Sequence, residues 1–454
     1  MRGHCGCVNR DFALPEPDPA RPGADKIRRL FLLAATLYVL IYAFEAPIRY
    51  GLHLVGMDDA IFVRDLMLAL PLLLLFIRQC IRGTVHPAFW VFALVVAVHG
   101  SVGYLNFHAL AAPVYGAKFL LPVLFGFILS SALVQPSRKL LLIFALLWLV
   151  SLVALYLDKY VLTYPWSGME TKIGGLTVDV SRGWDITSGE DKRVAGFTRS
   201  SIDAASLLPV LAFLVIQRSK LLMRTIVLAA TGCAIFLTTQ KGALLAFVAV
   251  AAIFALPRRM WYAMLCFACV SLTLLAIVLP IATSGLLMPT GGGVFSLASF
   301  GMRITDTWPD AWRWIANHDI FPFATGLGGL SGAMRFFAQD FYNPSDNFFI
   351  FLYGNFGVPA LFYLAWANYE ALSVPAEMRP FATAALAILA FDLGYGAVIA
   401  ILEGPFTALF LGASLGTLWR LRQQALHRKW ADPFNPAWRH PIAVPAPAQP
   451  QLPA

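Results

Sequence analysis

Charge is what this sequence has least of. Only 13% of its 454 residues are Asp, Glu, Lys or Arg and 59% are hydrophobic, whereas a soluble domain is about 25% charged. That shortage excludes the two or three soluble domains the length would otherwise allow. Cysteine is sparse as well, six residues in all, and forms no framework. Cys5 and Cys7 lie in a polar tail, while Cys80, Cys233, Cys266 and Cys269 lie in or beside apolar runs. Cys266 and Cys269 stand one helical turn apart with no second pair, a spacing that suits packing rather than metal or redox chemistry. His53, His99, His108 and His318 lack metal-ligand spacing, so no metal and no other cofactor is expected. Gly291-Gly292-Gly293 follows no strand and reads as a flexible joint, not a phosphate loop. No cleavable signal peptide is expected, because the first apolar run starts late and is long.

What the chain does have is apolar runs, each long enough to cross a hydrocarbon core of about 30 Å. They fall at about 30–48, 61–77, 88–106, 114–134, 140–157, 202–216, 222–238, 241–256, 261–284, 347–367, 381–401 and 405–419. The expected fold is an all-α polytopic membrane protein of about twelve transmembrane helices. The divisions are a disordered tail (1–25), five helices (26–157), a loop (158–200), four helices (201–284), a large loop with an amphipathic helix (285–346), three helices (347–420) and a basic, Pro-rich tail (421–454). With the first tail in the cytoplasm, alternation places Lys26, Arg138-Lys139, Arg258-Arg259 and Arg428 on the cytoplasmic side and both long loops outside. That is the positive-inside arrangement. Both termini are then cytoplasmic. It also explains the net charge of +9 without nucleic acid.

The interval from Gly301 to Gly357 is neither strongly apolar nor basic. It holds Trp308, Trp312 and Trp314, the arginines Arg303, Arg313 and Arg335, a Gly-rich turn, and Asp346-Asn347 opening an apolar run. Arg193, in Arg193-Val194-Ala195-Gly196, and Lys241, in Thr239-Gln240-Lys241-Gly242-Ala243, lie at the same outer boundary as Arg303. A single such cation can snorkel to the headgroups. Three together, on the side where cations are disfavoured, call for a counter-ion, and phosphate is the natural one. Asp346 is the candidate general base, with helix capping as its structural reading. Asn347 either orients a sugar or satisfies the helix start. Arg313 is a candidate substrate contact or an interfacial anchor. Glu45 and Arg49, four apart, are expected to pair. Lys118 reads as snorkelling, and Asp392 is an acid inside a span without an assigned role.

Arg193-x-x-Gly196, Gln240-Lys241-Gly242, Arg303 with its Trp-rich helix, Gly326-Leu327-Gly328 and Asp346-Asn347 ahead of Gly357 resemble, in order and placement, the O-antigen ligase and Wzy-type polymerase superfamily. The resemblance covers roughly 190–365. It implies a bacterial inner-membrane glycosyltransferase with an all-helical, GT-C-like architecture, metal-independent and inverting, that moves glycans from undecaprenyl-pyrophosphate carriers outside the cytoplasm. Arg193 and Arg303 then correspond to pyrophosphate-binding arginines, with Lys241, Gly196, Gly328, Asn347 and Arg313 as substrate contacts. Two departures matter. Lys241 replaces an arginine, keeping charge but losing the bidentate fork. Asp346 stands where ligases carry His, which favours a repeat-unit polymerase for exopolysaccharide or O-antigen over a ligase. The expected partners are the lipid-linked oligosaccharide, the bilayer, a flippase and a chain-length regulator. A transporter is the alternative from another class.

Overall fold

The computed structural model describes residues 22–173, 176–181, 193–283, 286 and 297–425. The expectations for the two tails, including Cys5, Cys7, Arg428 and Lys429, and for Gly291-Gly292-Gly293 fall outside these residues. An apolar segment must satisfy its backbone internally in lipid, and helix is how a single segment does so. Accordingly the described residues are mostly helical.

The first group comprises α1 (Pro22–Ala43), α2 (Glu45–Leu54), α3 (Val63–Ile81), α4 (Pro87–Phe107), α5 (Ala111–Leu129), the single turn α6 (Ser131–Val134) and α7 (Arg138–Tyr160). The expected span 30–48 is broken. The chain bends by 80° at Phe44, and α2 leaves the axis of α1. Glu45 and Arg49 do pair, at 2.6 Å, and Arg64 completes a buried triad at 2.5 Å from the same carboxylate. Lys118 does not snorkel freely, since its Nζ lies 2.9 Å from Asp65.

The loop after α7 is not wholly irregular. It contains an antiparallel hairpin of β1 (Glu170–Ile173) and β2 (Leu176–Asp179), so the fold is mostly rather than purely helical. There follow α8 (Ser201–Ile216), α9 (Leu221–Leu237), α10 (Lys241–Ile253) and α11 (Arg258–Ala282). Two short helices lie across the bundle end, α12 (Ala298–Met302) and α13 (Trp308–Asn317). The chain closes with α14 (Phe348–Phe356), α15 (Pro359–Leu372), α16 (Arg379–Tyr395) and α17 (Pro405–Ala425).

Among the described residues, five helical segments are long and apolar enough to cross a membrane, and two bent pairs raise the number to seven. That count is lower than the expected twelve because the run 347–367 breaks at Gly357 into α14 and α15, and α15 joins α16 as one bent pair. In addition, α17 is not apolar enough to count, and α8, α9 and α10 have only 16, 17 and 13 residues. At 1.5 Å per residue they run about 20–26 Å, short of a full hydrocarbon core. The packing supports a membrane setting. Every residue from Ala384 to Ala397 and from Ala204 to Leu214 is buried, so α16 and α8 form the centre. The outside is apolar, with Leu66, Leu70, Leu94, Leu105, Leu142, Leu222 and Leu274 all more than half exposed. Water does not tolerate an apolar exterior on that scale. Against α17, α5 approaches at backbone distance. A Cβ on Gly126 would sit 2.0 Å from the Leu409 carbonyl, and one on Gly412 2.1 Å from that of Val123, the small-residue contact typical of membrane helices. Cys266 and Cys269 are free and buried inside this bundle, as packing residues.

Candidate functional site

The site is built at the bundle end that carries residues 297–347. Arg303 opens a π-helical turn, Arg303–Thr307, between α12 and α13. Such turns recur at functional positions because they re-aim one side chain out of helical register. Just beyond, Trp308 is 1% exposed and packs with Ile304, Ile315, Leu330, Met334 and Ile350. Its indole N–H donates to the Asp346 carbonyl at 3.3 Å. Asn343 donates to Thr307 O and accepts from the Ser345 amide. These bonds hold Ser345 and Asp346 at φ of 56° and 41°, a left-handed conformation that costs a non-glycine residue roughly 1–3 kcal/mol. The Asp346 carboxylate then meets Arg303 Nε at 3.1 Å, with the two side chains 30% and 22% exposed. Burial raises the Asp346 carboxyl above its ordinary value, and Arg303 opposes that rise.

A second acid lies beside this pair. Glu403, in the short connection between α16 and α17, accepts the Gly332 amide at 2.6 Å. Ser331, at φ 76°, donates its hydroxyl to Pro344 O, which stitches the Glu403 contact to the loop that carries Asp346. Enclosure pushes the Glu403 carboxyl up to about 7; Ser331, the Gly332 amide and Arg335 pull it down, and Asp346 adds to the rise. Sequence reasoning passed over Glu403. A lone acid between two apolar runs was the signal, parallel to the one used for the cations.

Several further groups belong to the same network. Tyr115 sits in the joint field of Glu403, Arg199 and Arg335. Arg335 donates to Tyr342 Oη at 2.7 Å and stacks on that ring. Arg199 also acts on Glu45 and Arg49. Tyr395, at the end of α16, is within reach of Arg303, Asp346 and Asp203. Asp203 accepts from Tyr42 and Ser200, both at 2.7 Å, and Ser200 caps α8. Gln240 donates to Ser201 at 2.9 Å. Gly242 lets α10 begin against α16, since a Cβ there would lie 2.2 Å from Val398 and 3.8 Å from Tyr395. That approach sets Lys241, the first residue of α10, next to the Tyr395 end of the network.

The remaining sequence candidates fall elsewhere or act differently. Asn347, fully buried, caps α14 by accepting from the Ile350 amide and donates to Ala276 O and Ala397 O. Its polar atoms are engaged with the fold, so the expectation of a sugar contact gives way to a structural role, and Asp346 is not the cap. Gly328, expected to bind substrate, is buried at φ 81°, and a Cβ there would strike the Ala112 carbonyl at 1.8 Å. It serves close backbone packing against α5. Gly196 is likewise buried, its amide 3.0 Å from Asp158, and shapes the turn ahead of α8. Arg193 sits just before that turn; the arginine shown acting on Glu45 and Tyr115 is Arg199, six residues on. Arg313 is 73% exposed and ion-pairs with Asp310 on its own helix. Asp392 is fully buried with neither carboxylate oxygen hydrogen-bonded.

Arg303 and Arg335 thus accompany two acids of different character, Asp346 and Glu403, with Arg199 joined to them through Tyr115. Such an array can hold a multiply charged anion and accept a proton beside it. Among the described residues no three His, Cys, Asp or Glu side chains gather to hold a metal ion. Comparison with protein-family models, with curated proteins and with solved structures finds no match to this chain.

Proposed function

We propose that the protein is a polysaccharide polymerase that transfers polyprenyl-pyrophosphate-linked oligosaccharide units onto one another at the outer face of a bacterial inner membrane. The supporting observation is the Arg303–Asp346 pair set beside Glu403 and Arg335 at one end of an apolar helical bundle. In this reading all twelve apolar segments belong to the membrane domain, both termini are cytoplasmic, and the architecture is GT-C-like. The lipid stays in the bilayer, its pyrophosphate rests on the arginines, and the sugar stands in water.

Glu403, poised near neutrality, takes the proton of the acceptor hydroxyl as that oxygen bonds to the anomeric carbon. The bond from that carbon to the carrier breaks, its electron pair leaves on the pyrophosphate, and the anomeric centre inverts. Arg303 and Arg335 meet the charge that builds on the leaving group. At an effective dielectric near 20, one contact at about 4 Å contributes about 4 kcal/mol. Gained only in the transition state, that is on the order of a thousandfold in rate. Asp346 keeps Arg303 aimed before substrate arrives.

The test is elongation by the full chain in liposomes containing undecaprenyl-pyrophosphate-linked repeat units. The expected product is a ladder of chain lengths, with the rate lowered roughly a thousandfold in Arg303→Ala. Unaltered polymer in both Arg303→Ala and Glu403→Gln would remove the site. Transfer only onto a lipid A core would make the protein a ligase. A transporter has one observation in its favour, the unpartnered carboxyl of Asp392 inside the bundle; gradient-driven uptake without elongation would establish that reading instead.

A further inference from the structure

At the opposite end of the bundle, α9 and α11 both begin, since α10 runs back between them. Neither start is capped by a side chain: the preceding residues are Lys220 and Pro257, and neither makes a capping bond. The first-turn amides of both helices therefore present partial positive charge. Two arginines share one indole here. The guanidinium carbons of Arg224 and Arg258 lie 4.6 and 5.7 Å from the centre of the Trp261 ring. The ring is fixed in place, because its N–H donates to Leu256 O at 2.8 Å.

The other buried arginines among the described residues, Arg49 and Arg64, meet Glu45, and the partly buried Arg303 and Arg422 meet Asp346 and Glu370. For Arg224 the charged neighbour is another cation, Arg258. Arg224 is only 6% exposed; one Nη donates a long hydrogen bond to Ser219 O at 3.5 Å, and its Nε has no hydrogen-bond partner. A buried guanidinium beside a like charge is costly unless an anion joins it. The three residues that precede it on α9, Leu221, Leu222 and Met223, are 68%, 74% and 53% exposed, an apolar start of the helix suited to acyl chains.

We propose that Arg224, Arg258 and Trp261 form a phosphate-binding site, filled by the phosphate of an anionic phospholipid headgroup or by free phosphate. The site is independent of the glycan chemistry. Arg258 and Ala276, whose carbonyl Asn347 reaches, are eighteen residues apart on α11, about 27 Å at 1.5 Å per residue.

The test uses the full chain, purified and stripped of lipid, and follows thermal stability and native mass spectra. The titrants are phosphatidylglycerol, phosphatidylcholine and inorganic phosphate. Saturable stabilisation by phosphatidylglycerol beyond that by phosphatidylcholine supports a headgroup site, and equal stabilisation by inorganic phosphate supports a free-anion site. In either case Arg258→Gln should weaken binding about tenfold or more. Arg224→Gln should do the same if it folds; Arg258 is exposed, so its variant carries the test regardless. Arg259→Gln, an equal loss of charge one residue away, should leave binding unchanged. Absence of any saturable effect, or an equal loss in Arg258→Gln and Arg259→Gln, overturns the proposal.

Discussion

Replacing Glu403 with glutamine keeps an oxygen to accept the Gly332 amide and removes the ability to ionise. In the folded chain that carboxyl is lifted from 4.5 to about 7 by its enclosure, with Asp346 adding and Ser331, Gly332 and Arg335 opposing. Between those values the folded chain retains a proton that the unfolded chain has released. Stability therefore falls as pH rises through that window and levels off above it. At about 1.4 kcal/mol per pH unit, the loss amounts to about 3 kcal/mol. The amide carries no such loss. Glu403→Gln should match the parent near pH 4.5 and exceed it by up to about 3 kcal/mol at pH 8. Thermal unfolding at the two pH values reads this as a Tm difference that opens only at the higher pH. Elongation should move the other way, falling by about a hundredfold to ten-thousandfold with the proton acceptor gone. The parent rate should rise with pH through about 7, and the residual rate of the variant should lack that rise. A Tm difference that is the same at both pH values, or a variant that elongates normally, would refute the assignment.

Asp346→Asn should lower elongation about tenfold or more by releasing Arg303, yet shift stability by under about 1 kcal/mol, because the pair is partly exposed; a large drop in Tm with normal turnover would make the pair structural. Asn347→Ala removes a cap and leaves two buried carbonyls without donors, so it should destabilise by about 2–3 kcal/mol. A rise in KM at unchanged Tm would instead restore Asn347 as a sugar contact. In a background lacking Cys5, Cys7 and the exposed Cys80 and Cys233, Asp340→Cys should react with an impermeant maleimide on intact cells. Arg218→Cys should react only after permeabilisation, and the reverse pattern would invert the proposed orientation.

That the chain is mostly apolar helix was legible, but two expected runs, 30–48 and 347–367, are each broken into two helices. The bend at Phe44 had its signal in Pro47, which has no N–H to bond the Ala43 carbonyl and so ends the straight run; what the bend brings together, Glu45 and Arg64 nineteen residues apart, was not legible. Around the site, charge at an otherwise apolar boundary pointed to Arg303 and Asp346. The same rule was not carried on to the connection after the eleventh run, and so missed Glu403. Asp346 and Asn347 look interchangeable as caps in sequence, and only their φ angles separate them: 41° for Asp346, while Asn347 is extended and capping. Gly326-Leu327-Gly328 looked like a ligand turn because glycine marks close approach without saying to what. Here the approaching group is the backbone of the protein itself, at Gly103 and Ala112.

Ser331 is fully buried and fixed in a conformation few serines adopt. Its hydroxyl reaches the Asp346 segment while the next amide grips Glu403. One small side chain thus acts as the spacer between two acids, one held against an arginine and the other poised to exchange its proton. Threonine there would add a β-methyl where the backbone is left-handed, a combination branched residues strongly disfavour, so the strain would fall first on the link between the Asp346 segment and Glu403.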